Sequence, residues 1–206
     1  MPVTHLSKAP MSDSDRMTVL CRRLKASDET ALEAVFRDMR QRLMAYVRSM
    51  VGADTAAHDI IQDVFADLWQ MRQDLQPSKS LEALLYRMTR NRTYTYKRNR
   101  KSRLQKQEVI AEDMRRSDTQ AFHARPEQDL DAETLGHLLE GWVSNLPDRQ
   151  REALTLSRKH HLSHQEVADV MGISPRTVNN HIVRALNTLQ EQVEAYDPSL
   201  LQSWNR

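Results

Sequence analysis

The sequence predicts an all-α fold: two small helical domains joined by a linker, the C-terminal one a helix-turn-helix. Three observations carry this. Glycine and proline are scarce, 4 and 7 of 206 residues, while Leu, Ala, Arg, Gln and Met are frequent, a mix that favours helices over sheets with tight turns. Apolar residues recur at three- and four-residue spacing in both halves, the period of a helix with one buried face. Between about residues 107 and 132 that period lapses, acids outnumber bases and Pro126 adds a stop, as in a linker between domains.

Residues 1–15 are polar and patternless and read as a tail. The first domain is placed at 16–106. From Ser27 a helical stripe begins with Leu32, Val35, Phe36, Met39, Leu43, Tyr46, Val47 and Met50, and Gly52 is its expected C-cap. Ala57, Ile60, Ile61, Val64, Phe65, Leu68 and Trp69 form a second stripe, with Asp59, Asp63 and Asp67 at four-residue intervals opposite it. Pro77 stops that helix. Ser78 or Ser80 can cap a third, with Leu81, Leu84, Leu85 and Met88 facing inward. From Arg87 to Lys106 this third helix becomes strongly basic, with no acid in the run and with Tyr86, Tyr94 and Tyr96 in or beside it.

The second domain is placed at 133–196, followed by a tail at 197–206. Leu135, Leu138, Leu139, Trp142 and Val143 make its first helix, and Leu146-Pro147 opens the next, with Pro147 in the first turn. Ala153, Leu154 and Leu156 continue the core. Ser163-His164-Gln165-Glu166 is a capping box, in which each end of the tetrapeptide satisfies a backbone N–H of the other. It opens a helix with Val167, Ala168 and Val170 inward. Gly172 can take the positive φ of a sharp turn. Ser174-Pro175 then starts another helix, with Ser as N-cap and Pro at the first position. That helix buries Val178, Ile182, Ala185, Leu186 and Leu189. Ser174, Arg176, Thr177, Asn179, Asn180, His181 and Arg184 remain for its other side, side chains suited to base edges and phosphates in a major groove.

Net charge is only +2, so the distribution of charge matters more than its total. The single Cys21 rules out an intramolecular disulfide scaffold. No apolar run is long enough for a membrane helix, and the start of the chain has no signal core, so a cytoplasmic protein without membrane insertion is expected. His160, His161 and His164 lack a carboxylate or cysteine to complete a ligand set, so no metal is expected. With no nucleophile–base pair and no Gly-rich phosphate loop, neither an enzyme nor a cofactor is expected.

Leu146-Pro-Asp-Arg-Gln-Arg-Glu-Ala-Leu154, Leu162-Ser-His-Gln-Glu-Val-Ala168, Gly172-Ile-Ser-Pro-Arg-Thr-Val178 and Arg184-Ala185 resemble region 4 of bacterial sigma factors. Alone, they also resemble LuxR-type helix-turn-helix regulators, the alternative reading. Asp59-Ile-Ile-Gln-Asp-Val-Phe-Ala-Asp-Leu-Trp69, and Leu84-Leu-Tyr-Arg-Met-Thr-Arg-Asn91 with the basic run after it, are similar to region 2 of the extracytoplasmic-function (ECF) sigma factors. With both parts in order, the chain resembles an ECF sigma factor from about residue 25 to 195.

The resemblance implies a subunit that directs core RNA polymerase to specific promoters and initiates transcription. Asp59, Gln62 and Asp63 would dock on the clamp helices of the largest polymerase subunit, and the flap would be a second polymerase contact. Tyr86, Arg87, Arg90, Asn91, Tyr94, Lys97, Arg98, Arg100 and Lys101 would melt the minus-10 element and hold its unpaired strand. A positive track with planar groups is also what single-strand binding requires. The seven polar residues between Ser174 and Arg184 would read the minus-35 duplex. An anti-sigma factor is an expected partner. Two positions depart from the family pattern: Asn179 stands where Lys is common, and Asp63 where Glu is common.

Overall fold

The computed structural model describes residues 13–51, 54–111 and 132–197. Helices account for nearly all of them, in the order α1 (Asp13–Lys25), α2 (Glu29–Val51), α3 (Asp54–Gln70), α4 (Leu81–Ala111), α5 (Ala132–Asn145), α6 (Asp148–Leu154), α7 (His164–Met171) and α8 (Pro175–Tyr196). A 3₁₀ turn at Arg72–Asp74 follows α3, and a π-helical turn at Thr155–Lys159 continues α6. No strand occurs among the described residues. Two compact units result, residues 1–92 and 93–206, with the boundary inside α4. The Gly52 cap, most of the linker and most of both tails lie outside the described residues.

In the first unit, α2 buries Val35, Met39, Leu43, Tyr46 and Val47, α3 buries Ile61, Val64 and Leu68, and α4 adds Leu85 and Tyr86. Burying side chains of this size contributes roughly 1.5–3 kcal/mol each. Aromatic edges lock the stack: Phe36 meets Phe65 at 4.9 Å, and Tyr46 meets Tyr86 at 5.6 Å, both edge-to-face. Phe36 is nonetheless a rim residue rather than a fully inward one, at 36% exposure.

Helix α1 is an addition to the sequence reading, which begins its helical period at Ser27. Leu20, Cys21 and Leu24 are all buried, a short i, i+1, i+4 stripe that a tail would not need. Ser27 takes φ 61° at the α1–α2 turn. Asp28 then opens α2, its carboxylate accepting from the Thr30 N–H at 3.0 Å and the Thr30 hydroxyl at 2.7 Å. Arg23 donates to the same carboxylate at 2.8 Å. The turn is pinned to the end of α3: Arg72 and Gln73 donate to the Ser27 hydroxyl, and Lys25 donates to the Leu75 carbonyl. Arg72 also lies over the Trp69 ring, 4.4 Å from its centroid.

Ser80 is the residue that opens α4, its hydroxyl accepting from the Ala83 N–H at 3.1 Å. The inward line of α4 runs through Leu81, Leu85, Tyr86, Thr89 and Thr93, all buried. Leu84 and Met88, expected inward, are half-exposed.

In the second unit, Leu146, Ala153, Leu154, Leu156, Leu162, Val167, Val170, Met171, Val178 and Ile182 form the core. Pro147 serves as the cap residue before α6 rather than as its first helical residue. Arg151 of α6 donates to the Ser144 and Leu146 carbonyls at 2.6 and 3.1 Å, satisfying the C-terminal end of α5. Trp142 meets Tyr196 edge-to-face at 5.8 Å, tying α5 to α8. Leu186, expected in the core, is 40% exposed: the buried line of α8 is Val178, Ile182, Ala185 and Val193, and Leu186 falls at its edge.

Candidate functional site

The helix-turn-helix is assembled by local chemistry. The Ser163 hydroxyl accepts from the Glu166 N–H at 3.2 Å, and the Ser163 N–H donates to the Glu166 carboxylate at 2.9 Å, completing the capping box of α7. Gly172 ends α7 at φ 66°, ψ 40°, and the Ile173 N–H closes back on the Ala168 carbonyl at 3.1 Å, a Schellman-type closure that a residue with a Cβ would strain. Ser174 then caps α8 through the Thr177 N–H at 3.1 Å, with Pro175 in the first turn.

Arg176, Asn180 and Arg184 follow at four-residue intervals and are all exposed, so one outward stripe of α8 carries two guanidinium groups and an amide. Asn179 is exposed beside them, while Thr177 and His181 are half-buried. The Ser174 hydroxyl is exposed but shares a 2.8 Å hydrogen bond with that of Thr177. No acid occurs from Pro175 to Gln190. The start of α8 thus offers positive partial charge, cationic side chains and amides on one surface, the combination that a phosphate-lined groove selects.

Helix α4 sorts the predicted minus-10 residues differently. Arg87, Asn91, Arg98, Arg100 and Lys101 are exposed, and Arg90, Tyr94 and Lys97 are half-buried. Tyr86 is not available at all: it is 0% exposed, packs on Tyr46, and burial pushes its hydroxyl well above the usual phenol range. It belongs to the core because it shares the inward line with Leu85, Thr89 and Thr93. In the second unit, Tyr94 donates to the buried Glu152 carboxylate at 3.0 Å, and the Lys97 ammonium lies 3.7 Å from Asp148.

On α3, Asp59, Gln62 and Asp63 are exposed as expected. The sequence reading missed the side chain that faces this acidic stripe. Arg92 of α4 donates to Asp67 through Nη2 at 2.5 Å and Nε at 3.1 Å, and to Asp63 through Nη1 at 3.3 Å. These carboxylates, Asp67 foremost, raise the Arg92 pKa. Four-residue spacing shows the stripe in the sequence; nothing local shows which helix packs beside it.

Comparison with known proteins decides what this architecture is. Residues 35–103 match the family model for sigma-70 region 2, and residues 139–189 the model for sigma-70, region 4. Together they span more than half of the chain. It belongs to the sigma-70 family, as an ECF sigma factor.

The ECF RNA polymerase sigma-E factor of Haemophilus influenzae is 21% identical over 85% of this sigma factor and 94% of its own length. The ECF RNA polymerase sigma factor SigM of Bacillus subtilis is 25% identical over 77% and 93%. Two solved structures share the fold. CnrH in complex with the cytosolic domain of CnrY has a TM-score of 0.63, 21% identity and coverage of 89% of this chain and 99% of CnrH. RpoE of Bartonella quintana in complex with the anti-sigma factor NepR has a TM-score of 0.58, 24% identity and coverage of 79% and 96%. The region 2 match removes the ground for a LuxR-type regulator, which shares only the helix-turn-helix. The sigma factor functions in transcription initiation with RNA polymerase. No described helix is long and apolar enough to cross a membrane.

Proposed function

We propose that this sigma factor grips its promoter at two places and docks on polymerase by a third surface, each borne by one helix. Helix α8 reads the minus-35 duplex through Arg176, Asn179, Asn180 and Arg184, with Ser174, Thr177 and His181 contacting backbone at its edge. Helix α4 holds the unpaired minus-10 strand through Arg87, Arg90, Asn91, Arg98, Arg100 and Lys101, with Tyr94 as stacking platform and Lys97 beside it. Helix α3 presents Asp59, Gln62 and Asp63 to basic groups on the clamp of core polymerase. The functional domains run over 16–106 and 133–196, with 107–132 between them as an acidic linker.

The observation that carries this reading is the outward stripe of α8: two arginines and an amide on a capped, acid-free helix start. Such a surface gains most of its affinity from phosphates and its selectivity from base edges. The sigma factor contributes binding and strand separation, without catalysis of its own, and works in the cytoplasm. By likeness to the complexes of CnrH and RpoE, an anti-sigma factor is a further partner. Pull-down with core polymerase followed by run-off transcription tests the whole. Core retention and promoter-dependent transcripts are expected; tight DNA binding with transcription indifferent to the chain would refute it.

A further inference from the structure

The acidic stripe on α3 already has a cation on it. Arg92 holds Asp67 through two nitrogens, at 2.5 and 3.1 Å, and reaches Asp63 through a third, at 3.3 Å. All three side chains are at the surface, with exposures of 43% for Arg92, 60% for Asp63 and 37% for Asp67. Arg92 therefore occupies one oxygen of each carboxylate, Oδ2 of Asp67 and Oδ2 of Asp63, and competes there with a basic partner surface. It also directly follows Asn91, and Tyr94 is the second residue after it. The flexible stem of an arginine lets its head group leave the α3 flank for the outward face of α4.

We propose that Arg92 is a shared counter-ion linking the docking face to the strand-binding face: it is parked on Asp63 and Asp67 in the free chain, and passes to a phosphate of the unpaired strand once a polymerase cation arriving at Asp63 displaces it from the pair. The proposal rests on the assignment of α3 to docking and of α4 to the strand. Its direction follows from charge. Exposed ion pairs contribute about 0–1 kcal/mol each, so the parked state is easily exchanged. A cation arriving at Asp63 both competes for its oxygens and repels the guanidinium already there. A phosphate on the adjacent face then offers Arg92 a bidentate acceptor. The free chain would thus hold one cation away from the track, and the polymerase-bound chain would add it. Arg92 is a positioning residue in the first state and a strand contact in the second.

The test uses the full chain as wild type, Arg92→Gln and Asp67→Asn. Gln keeps stem length and helix propensity at an exposed site, and thermal melts verify that both variants fold. Binding of a labelled oligothymidylate to the free chain is compared with binding of a pre-melted promoter fragment to the holoenzyme, each across a salt series. Arg92→Gln should leave free-chain strand affinity within about twofold, since the lost cation was parked. In the holoenzyme the same variant should weaken fragment binding about three- to tenfold and reduce the salt slope by about 0.7, the value of one phosphate contact on a single strand. Asp67→Asn should raise free-chain strand affinity about threefold by releasing Arg92 early. Core affinity of Arg92→Gln should equal or exceed that of wild type, because a competitor is gone.

Three results would overturn the proposal. Equal losses of strand affinity with and without polymerase would place Arg92 on the track at all times. An unchanged holoenzyme salt slope would leave it off the strand altogether. Weaker core binding by Arg92→Gln would make it a support of the docking face. Failure of the underlying docking assignment is separate, because it would leave the core affinity of Asp63→Arg unchanged whatever Arg92 does.

Discussion

Helices α4 and α8 both face nucleic acid in this account, yet they are built on different terms. Helix α8 has 22 residues, a capped start and one continuous buried line. Among the described residues, neither Arg176 nor Arg184 has a carboxylate partner. Helix α4 has 31 residues, and its polar side chains divide among the core, other side chains and solvent: Thr89 and Thr93 are buried, Arg92 is held by α3, and Tyr94 and Lys97 meet carboxylates. The difference teaches that the polar face of α8 is presented ready-made, whereas α4 keeps two cations and one phenol engaged within the protein. Surface ion pairs of this kind are weak enough to exchange.

Mutations break this comparison in order of effect. Reversing a docking charge acts most strongly, because like charges across an interface cost several kcal/mol. Asp63→Arg should weaken core polymerase binding by more than tenfold while leaving duplex affinity unchanged, measured by pull-down and by gel shift. Next, Arg176→Ala and Arg184→Ala should each cost about 1–3 kcal/mol of duplex binding, read by anisotropy on a minus-35 fragment. Removing charged partners of α4 should change duplex binding far less. If α8 owes its readiness to the caps of α7 before it, Gly172→Ala should destabilise the second unit by roughly 1 kcal/mol through the positive φ, and Ser163→Ala by a similar amount through the lost capping box. Both are read as lower thermal midpoints.

The smallest effect is a pH dependence confined to the first unit. Thr30 and Arg23 hold the exposed Asp28 carboxyl down at about 2, against about 3.9 for a free aspartate. A depressed folded-state value stabilises the fold above the unfolded value, and the contribution is lost as pH falls from about 4 toward 2. Wild type should therefore lose more thermal stability over that window than Asp28→Asn, which can still cap α2.

How much was legible in the sequence follows the same contrast. Ser163, Glu166, Gly172, Ser174 and Pro175 act over a few residues, so their roles could be read in one dimension, and the structure has each where the pattern put it. Tyr86 misleads in the sequence because a tyrosine beside arginines resembles a stacking platform. Its inward position is set by a helix phase carried partly by threonines, which hydrophobic patterning does not weight. Arg92 was one more charge in a basic run, since its partners lie 25 and 29 residues away in the chain and only the packing of α3 beside α4 brings them together. Helix α1 is hard to read in the sequence because its stripe is short and follows a polar start. Leu186 has the type of an inward residue, yet the phase of α8 leaves it at the rim.

As proposed, one chain supplies promoter reading on α8 and α4 and polymerase docking on α3. Run-off transcription by reconstituted holoenzyme tests it most directly, with wild type, Arg176→Ala and Asp63→Arg on one promoter. Full transcript yield is expected from wild type and a several-fold or larger reduction from either substitution, with full core retention by Arg176→Ala and full duplex binding by Asp63→Arg. Transcription by core polymerase that is unaffected by omitting the chain, or by both substitutions together, would contradict it.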